Sequence, residues 1–189
     1  MYLLTDEFKQ TYGYTNYEIA LIKYVIHSII SEFSKLLLLG FFYYSIGKLS
    51  LFIGSFFLLL LLRFNGGGFH CRHYLSCLIV TFTISLFSIS ILPLIKIPNY
   101  SIVIAILMLC MITNYKIGPI ASPFRPSPNM YLLKSCKNNG FIITLIFIII
   151  VSIFNTNKFI QPYLIVGFWT VVLHTIQMII AKIFRKEVI

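Results

Sequence analysis

The run Arg63-Phe64-Asn65-Gly66-Gly67-Gly68-Phe69-His70-Cys71-Arg72-His73-Tyr74-Leu75-Ser76-Cys77 holds two of the chain's four cysteines, two of its four histidines and two of its four arginines. A cysteine attacks as its thiolate, which at neutral pH requires a neighbouring base or cation. On a regular helix His73, four residues before Cys77, is its neighbour. His70, seven before, shares the face but lies about 10.5 Å away along the axis. Ideal helical geometry therefore selects His73 as the base. His70 serves if the segment bends, and three consecutive glycines permit that, because they reach backbone conformations closed to other residues. A flexible turn explains the glycines but not the nucleophile and base candidates beside them. Zinc is the competing chemistry, since His70, His73 and Cys77 share a helical face and zinc accepts both ligand types. The spacing matches no zinc pattern and Cys71 points away on a helix, so neither metal nor other cofactor is expected.

The elements that position this segment are apolar spans. The 189 residues are 59% hydrophobic and 11% charged, and mean hydropathy is +0.92. Soluble domains carry about a quarter charged residues, and several apolar runs of roughly 12 to 18 residues cannot share one core in a chain this short. The fold class is an all-α integral membrane protein in a single domain, residues 1–189. Residues 1–35 lead in with an amphipathic helix. Over 16–35, Ile19, Ile22, Val25, Ile26, Ile29, Ile30 and Phe33 form one face, and Glu18, Lys23, Ser31, Ser34 and Lys35 lie mostly on the other. That helix either lies in the interface or packs as the lead-in to the first span. About six spans follow: Leu36–Ile46, Leu49–Leu62, Leu78–Ile95 (closed by Pro93, Lys96 and Pro98), Ser101–Tyr115, Phe141–Phe154 and Tyr163–Ile183. The first is short and is expected to recruit part of the preceding helix. A polar, proline-containing loop occupies 116–140, and no internal repeat stands out.

Fifteen basic against five acidic residues leave a net charge of +10. They sit between spans, where they set orientation and hold an anionic leaflet; no compact basic domain remains to bind nucleic acid. With both termini cytosolic, twelve lysines and arginines fall inside and three (Lys48, Lys96 and Lys158) outside. The segments 63–77 and 116–140 then both face the cytosol. Four irregularly spaced cysteines give no disulfide framework. Asp6 and Glu7 stand where a signal peptide would be basic, so no cleaved signal is expected.

Arg63, then Gly67-Gly68-Phe69-His70, then Cys77 resembles the signature of the AgrB family, the accessory gene regulator membrane endopeptidases of Gram-positive quorum sensing. Its pattern is an arginine, Gly-Gly-x-His, and a cysteine seven residues beyond the histidine. The resemblance covers the whole chain, from amphipathic N-terminus to basic loop before span five. It implies a thiol protease of the cell membrane acting on an AgrD-type propeptide, with His70 as general base and Cys77 as nucleophile, through a Cys77 thioester that closes into a thiolactone or lactone. The family's choice of His70 is preferred over the ideal-helix choice of His73, which becomes a packing or orienting residue.

The remaining residues carry two readings each. Arg63 binds an acidic substrate tail, helps the oxyanion, or snorkels at the end of span two. Arg125, Lys134 and Lys137 draw in an acidic propeptide or anchor the loop. No Asp or Glu lies near Cys77 in sequence, so no third member of a triad is visible. His174, deep in span six, is expected to hydrogen-bond between helices, Cys110 to fill core, and Cys136 to be incidental. Six short helices hardly enclose a peptide cleft, so a homodimer is expected, as the family also implies. A peptide exporter or scaffold is the non-enzymatic alternative; transporters often carry intramembrane charges, and the spans as drawn hold none.

Overall fold

A computed structural model describes residues 13–68, 73–95, 99–122 and 125–186, and for Arg185 and Lys186 the backbone alone. His70, Cys71 and Arg72 fall outside these residues, as do Lys9, Lys96 and Pro98. The described chain is helical: α1 Asn16–Ser45, α2 Leu49–Gly66, α3 Tyr74–Leu86, α4 Tyr100–Ile117, α5 Met130–Phe154 and α6 Gln161–Lys186. Helix α3 runs on through a π-turn at Phe87–Ile91 and a 3₁₀ turn at Leu92–Leu94. Pro93, which has no N–H to donate, ends it. All six are long and apolar enough to cross a membrane.

The expected amphipathic helix and first span are one continuous helix. Thr15 caps α1 in a capping box with Glu18, and no proline interrupts the thirty residues that follow. Its apolar stripe faces outward: Ile22, Val25, Ile26, Ile29, Ile30 and Phe33 are exposed, with Leu37, Leu38 and Phe41 beyond them. Lys35 is buried. In water such a helix would be inside out; against lipid it presents hydrocarbon outward and keeps its polar groups for its neighbours. Helix α5 likewise begins earlier than expected, because Asn129 accepts a hydrogen bond from the Tyr131 amide as its N-cap. Residues 130–140 of the expected loop are therefore helix.

Helix α6 is the axis of the bundle, buried along most of its length and packed chiefly on α2 and α4. One core forms where Leu62, Leu107, Cys110, Met111, Ile148, Val151, Phe168 and Val171 join α2, α4, α5 and α6. A second joins α1, α2, the end of α3 and α6 through Leu39, Tyr43, Phe52, Phe56, Ile89 and Val166, with Tyr43 and Phe52 stacked at 4.8 Å. Polar side chains stitch the spans together. Ser55 and Thr170 hydroxyls are 2.8 Å apart, and the Tyr43 hydroxyl donates to Ser85 Oγ at 3.1 Å. In a medium without water such interhelical bonds satisfy groups that have no other partner.

The segments that follow α2 and α4 meet at one end of the bundle. Gly67 and Ile120 form an isolated parallel bridge, and the Ile120 amide donates to the Gly66 carbonyl at 2.9 Å. The Tyr17 hydroxyl donates to the Ser127 carbonyl at 3.0 Å, bringing the start of α1 to the same end.

Candidate active site

Cys77 lies on the first turn of α3. His73 is the N-cap, with extended backbone (φ −106°, ψ 142°), and the Cys77 amide makes the turn's hydrogen bond to the His73 carbonyl at 3.2 Å. The amides of Tyr74, Leu75 and Ser76 precede that bond, so α3's own ladder does not use them. Side chains lean toward a helix N-terminus, which turns the Cys77 thiol toward these donors and the positive end of the helix dipole.

Two other helices bring cations to the half-buried thiol. Lys35 Nζ, from α1, donates to Cys77 Sγ at 3.2 Å, and Arg63 Nη2, from α2, approaches it at 4.0 Å. Lys35 is 1% exposed and forms an ion pair with Glu32 at 2.7 Å. Arg63 Nη1 donates to Thr81 Oγ1 at 3.3 Å, and Thr81 donates to the Cys77 carbonyl at 2.9 Å. The Ser34 and Tyr74 hydroxyls, 2.8 Å apart, tie α1 to the start of α3 just above. Cys77, Thr81, Ser85 and Ser88 recur at helical spacing and line the inward face of α3.

The glycines shape the approach. Gly67 has φ of 77°, and a Cβ there would run into the Ile120 carbonyl. Only glycine fits that conformation at that contact. Gly68 has φ of 147° and stands 3.5 Å from the Gln177 side chain, measured from where a Cβ would be.

These placements sort the residues singled out from sequence. Cys77 and Arg63 come together. His73 stands at the N-cap with an exposed side chain, so the helical neighbourhood that favoured it as base does not form: an N-cap residue has non-helical backbone. His70 lies outside the described residues. Lys134 is exposed and lines a groove with Pro119, Met130, Tyr131, Leu133 and Lys137. Arg125 follows the loop, its amide donating to the Ser122 carbonyl at 3.2 Å. Helix α5 packs mainly on α2 and α4 rather than on α3, so these cations stand apart from Cys77. Among the described residues no three His, Cys, Asp or Glu side chains converge as metal ligands. His174 is buried under Gly66, and its Nδ1 has no hydrogen-bond partner among the described residues.

Sequence reasoning missed Lys35 and Glu32. It found no acid beside the 63–77 segment and no charge within a span; the structure overturns both, because α1 is one helix and carries its Glu32–Lys35 pair to the thiol. The available signal was an acid and a lysine three apart on the polar side of an otherwise lipid-suited helix.

A polytopic helical membrane protein with a cation-flanked thiol on the first turn of its third helix is the class that fold and site define. The accessory gene regulator B family matches residues 2–179, and the chain belongs to that family. A curated protein of Clostridium beijerinckii described as AgrB-like is 32% identical over 116 residues, which cover 60% of this chain and 57% of that protein. The match thus spans a little over half of the relative. No solved structure matches. Family membership supports a part in accessory gene regulator quorum sensing.

Proposed function

We propose that the protein is a membrane cysteine endopeptidase that removes the C-terminal tail from an AgrD-type propeptide, with Cys77 as nucleophile and His70 as general base. The observation that carries this reading is the setting of Cys77: a half-buried thiol at a helix N-terminus, with two cations within 4.0 Å, in an otherwise apolar bundle. Such surroundings favour a thiolate.

In this mechanism His70 takes the thiol proton and the thiolate sulfur bonds to a propeptide carbonyl carbon, moving the carbonyl electron pair onto oxygen. The unused amides at the start of α3 face the developing oxyanion. Collapse breaks the C–N bond, and His70 returns the proton to the departing amine. The peptide remains as a thioester on Cys77. A thiol or hydroxyl within the peptide then attacks that thioester, closing a thiolactone or lactone ring and restoring the cysteine. Ring closure outcompetes hydrolysis where water is excluded, and the lipid-flanked position of Cys77 supports that.

The excess of lysine and arginine around 63–77 and 116–140 orients this site to the cytosol. Arg63 steadies the thiolate and substrate; Gly67 and Gly68 shape the chain where it leaves α2; Arg125 and Lys134 attract the acidic tail along the groove beside α5. A homodimer completes the cleft. The test is co-expression with an AgrD-type propeptide, with products weighed by mass spectrometry. Wild type releases the tail, whereas Cys77→Ser and His70→Ala do not and His73→Ala does. Cleavage by all three variants overturns the peptidase; loss in Cys77→Ser and His73→Ala but not in His70→Ala makes His73 the base.

A further inference from the structure

We propose that Lys35, held by Glu32, is the cation that keeps Cys77 in its thiolate form, an inference that rests on Cys77 being the nucleophile. The lysine is 1% exposed, and among the described residues its ammonium bonds Glu32 Oε1 at 2.7 Å and Cys77 Sγ at 3.2 Å. Burying an ammonium costs several kcal/mol unless its hydrogen bonds are met by strong acceptors. Glu32 is one such acceptor. A neutral thiol is a poor second, since sulfur is a weak acceptor; a thiolate is a strong one.

Charge balance points the same way. Lys35 and Arg63 bring two positive charges to the sulfur and Glu32 brings one negative. With a neutral thiol the cluster carries an uncompensated positive charge among helices that face lipid, and a thiolate cancels it. Among the described residues, the other titratable groups around the cluster do not supply that anion. Tyr74, beyond Ser34, is phenolic; His73 is exposed at the N-cap; His174 of α6 lies behind Gly66. No proton need pass through the pair: the thiol proton goes to the general base, Lys35 remains an ammonium, and Glu32 remains a carboxylate. The carboxylate anchors the lysine within one turn of α1, so α1 takes part in the chemistry as well as in the membrane.

The test follows alkylation of Cys77 by iodoacetamide in the full chain, reconstituted in lipid nanodiscs. Peptide mass spectrometry separates Cys77 from Cys71, Cys110 and Cys136. At neutral pH Lys35→Met reacts about tenfold more slowly than wild type, and the deficit closes at alkaline pH, where the thiol ionises without help. The Glu32→Gln/Lys35→Met double variant is equally slow, which separates loss of the cation from exposure of an unpaired carboxylate. Lys35→Arg, always charged, stays within about threefold of wild type. Lys35→Gln gives the same comparison should Lys35→Met not fold. Unchanged alkylation in Lys35→Met, a deficit that persists at alkaline pH, or a Lys35→Arg rate as low as that of Lys35→Met overturns the proposal. Because the measurement needs no substrate, it reads the Lys35–Cys77 interaction even if propeptide cleavage fails.

Discussion

At the scale of single residues, the thiol's surroundings come from three helices and from positions as far as 42 residues apart in sequence. Thr81 links two of them, receiving Arg63 and bonding the carbonyl of Cys77. Thr81→Val keeps the volume but drops the acceptor for Arg63, a loss of about 1 kcal/mol. If Arg63 steadies the thiolate, propeptide cleavage should fall about fivefold in kcat at unchanged expression; cleavage at the wild-type rate would show that Arg63 needs no such anchor. Gly67 makes a sharper prediction. Gly67→Ala places a methyl against the Ile120 carbonyl at a positive φ, costing about 1–3 kcal/mol. A lowered thermal midpoint in detergent should accompany loss of the bridge between the two loops. That Cys77 and Arg63 belong to one reactive segment was legible from the clustering of rare residue types; that the arginine approaches the sulfur was not. Lys35 was not, because a lysine on an amphipathic helix reads the same whether it faces water or a partner helix.

At the scale of elements, packing decides what periodicity leaves open. The stripe on α1 announces two faces but not which one meets the bundle, and the lipid takes the apolar one. Tyr43 then anchors α1 to α2 and α3 through its ring against Phe52 and its hydroxyl on Ser85. Tyr43→Phe should cost about 1 kcal/mol in stability, since it removes one buried hydrogen bond and leaves the ring. Any larger drop would mean the bond also sets the helix position, and the Cys77 alkylation rate would report that displacement. Helices α5 and α6 approach closely at Gly167, where a Cβ would stand 2.6 Å from the Phe147 ring. Gly167→Val therefore overpacks this contact, and a cost of about 1–3 kcal/mol is expected in detergent unfolding.

At the scale of the whole molecule, six helices with short connections bring alternate loops to the same end. The contacts Gly67–Ile120 and Tyr17–Ser127 show which loops share it. The proposed orientation places that end in the cytosol. Alkaline phosphatase, active only outside the membrane, should therefore be active when inserted at Gly47 or Asn157 and inactive at Ser127. The opposite pattern would invert the protein and remove the cytosolic site. Membrane class, helix count and the expected orientation were all accessible from composition, run length and charge counting, because these depend on the solvent more than on the details of packing.

Sequence alone determined that this chain is a helical membrane protein and singled out the segment that holds Arg63 and Cys77. Hydropathy over a span and the clustering of rare reactive residues are local properties, read without knowing what touches what. The tertiary structure decided that α1 runs unbroken from its amphipathic start through the first span, and that His73 is the N-cap of α3 with its side chain exposed. It also decided that Lys35, paired with Glu32, reaches the thiol. Each of these depends on which helix face meets which neighbour. In lipid that is settled by interhelical packing and the pairing of polar groups, which no periodicity in a single helix encodes.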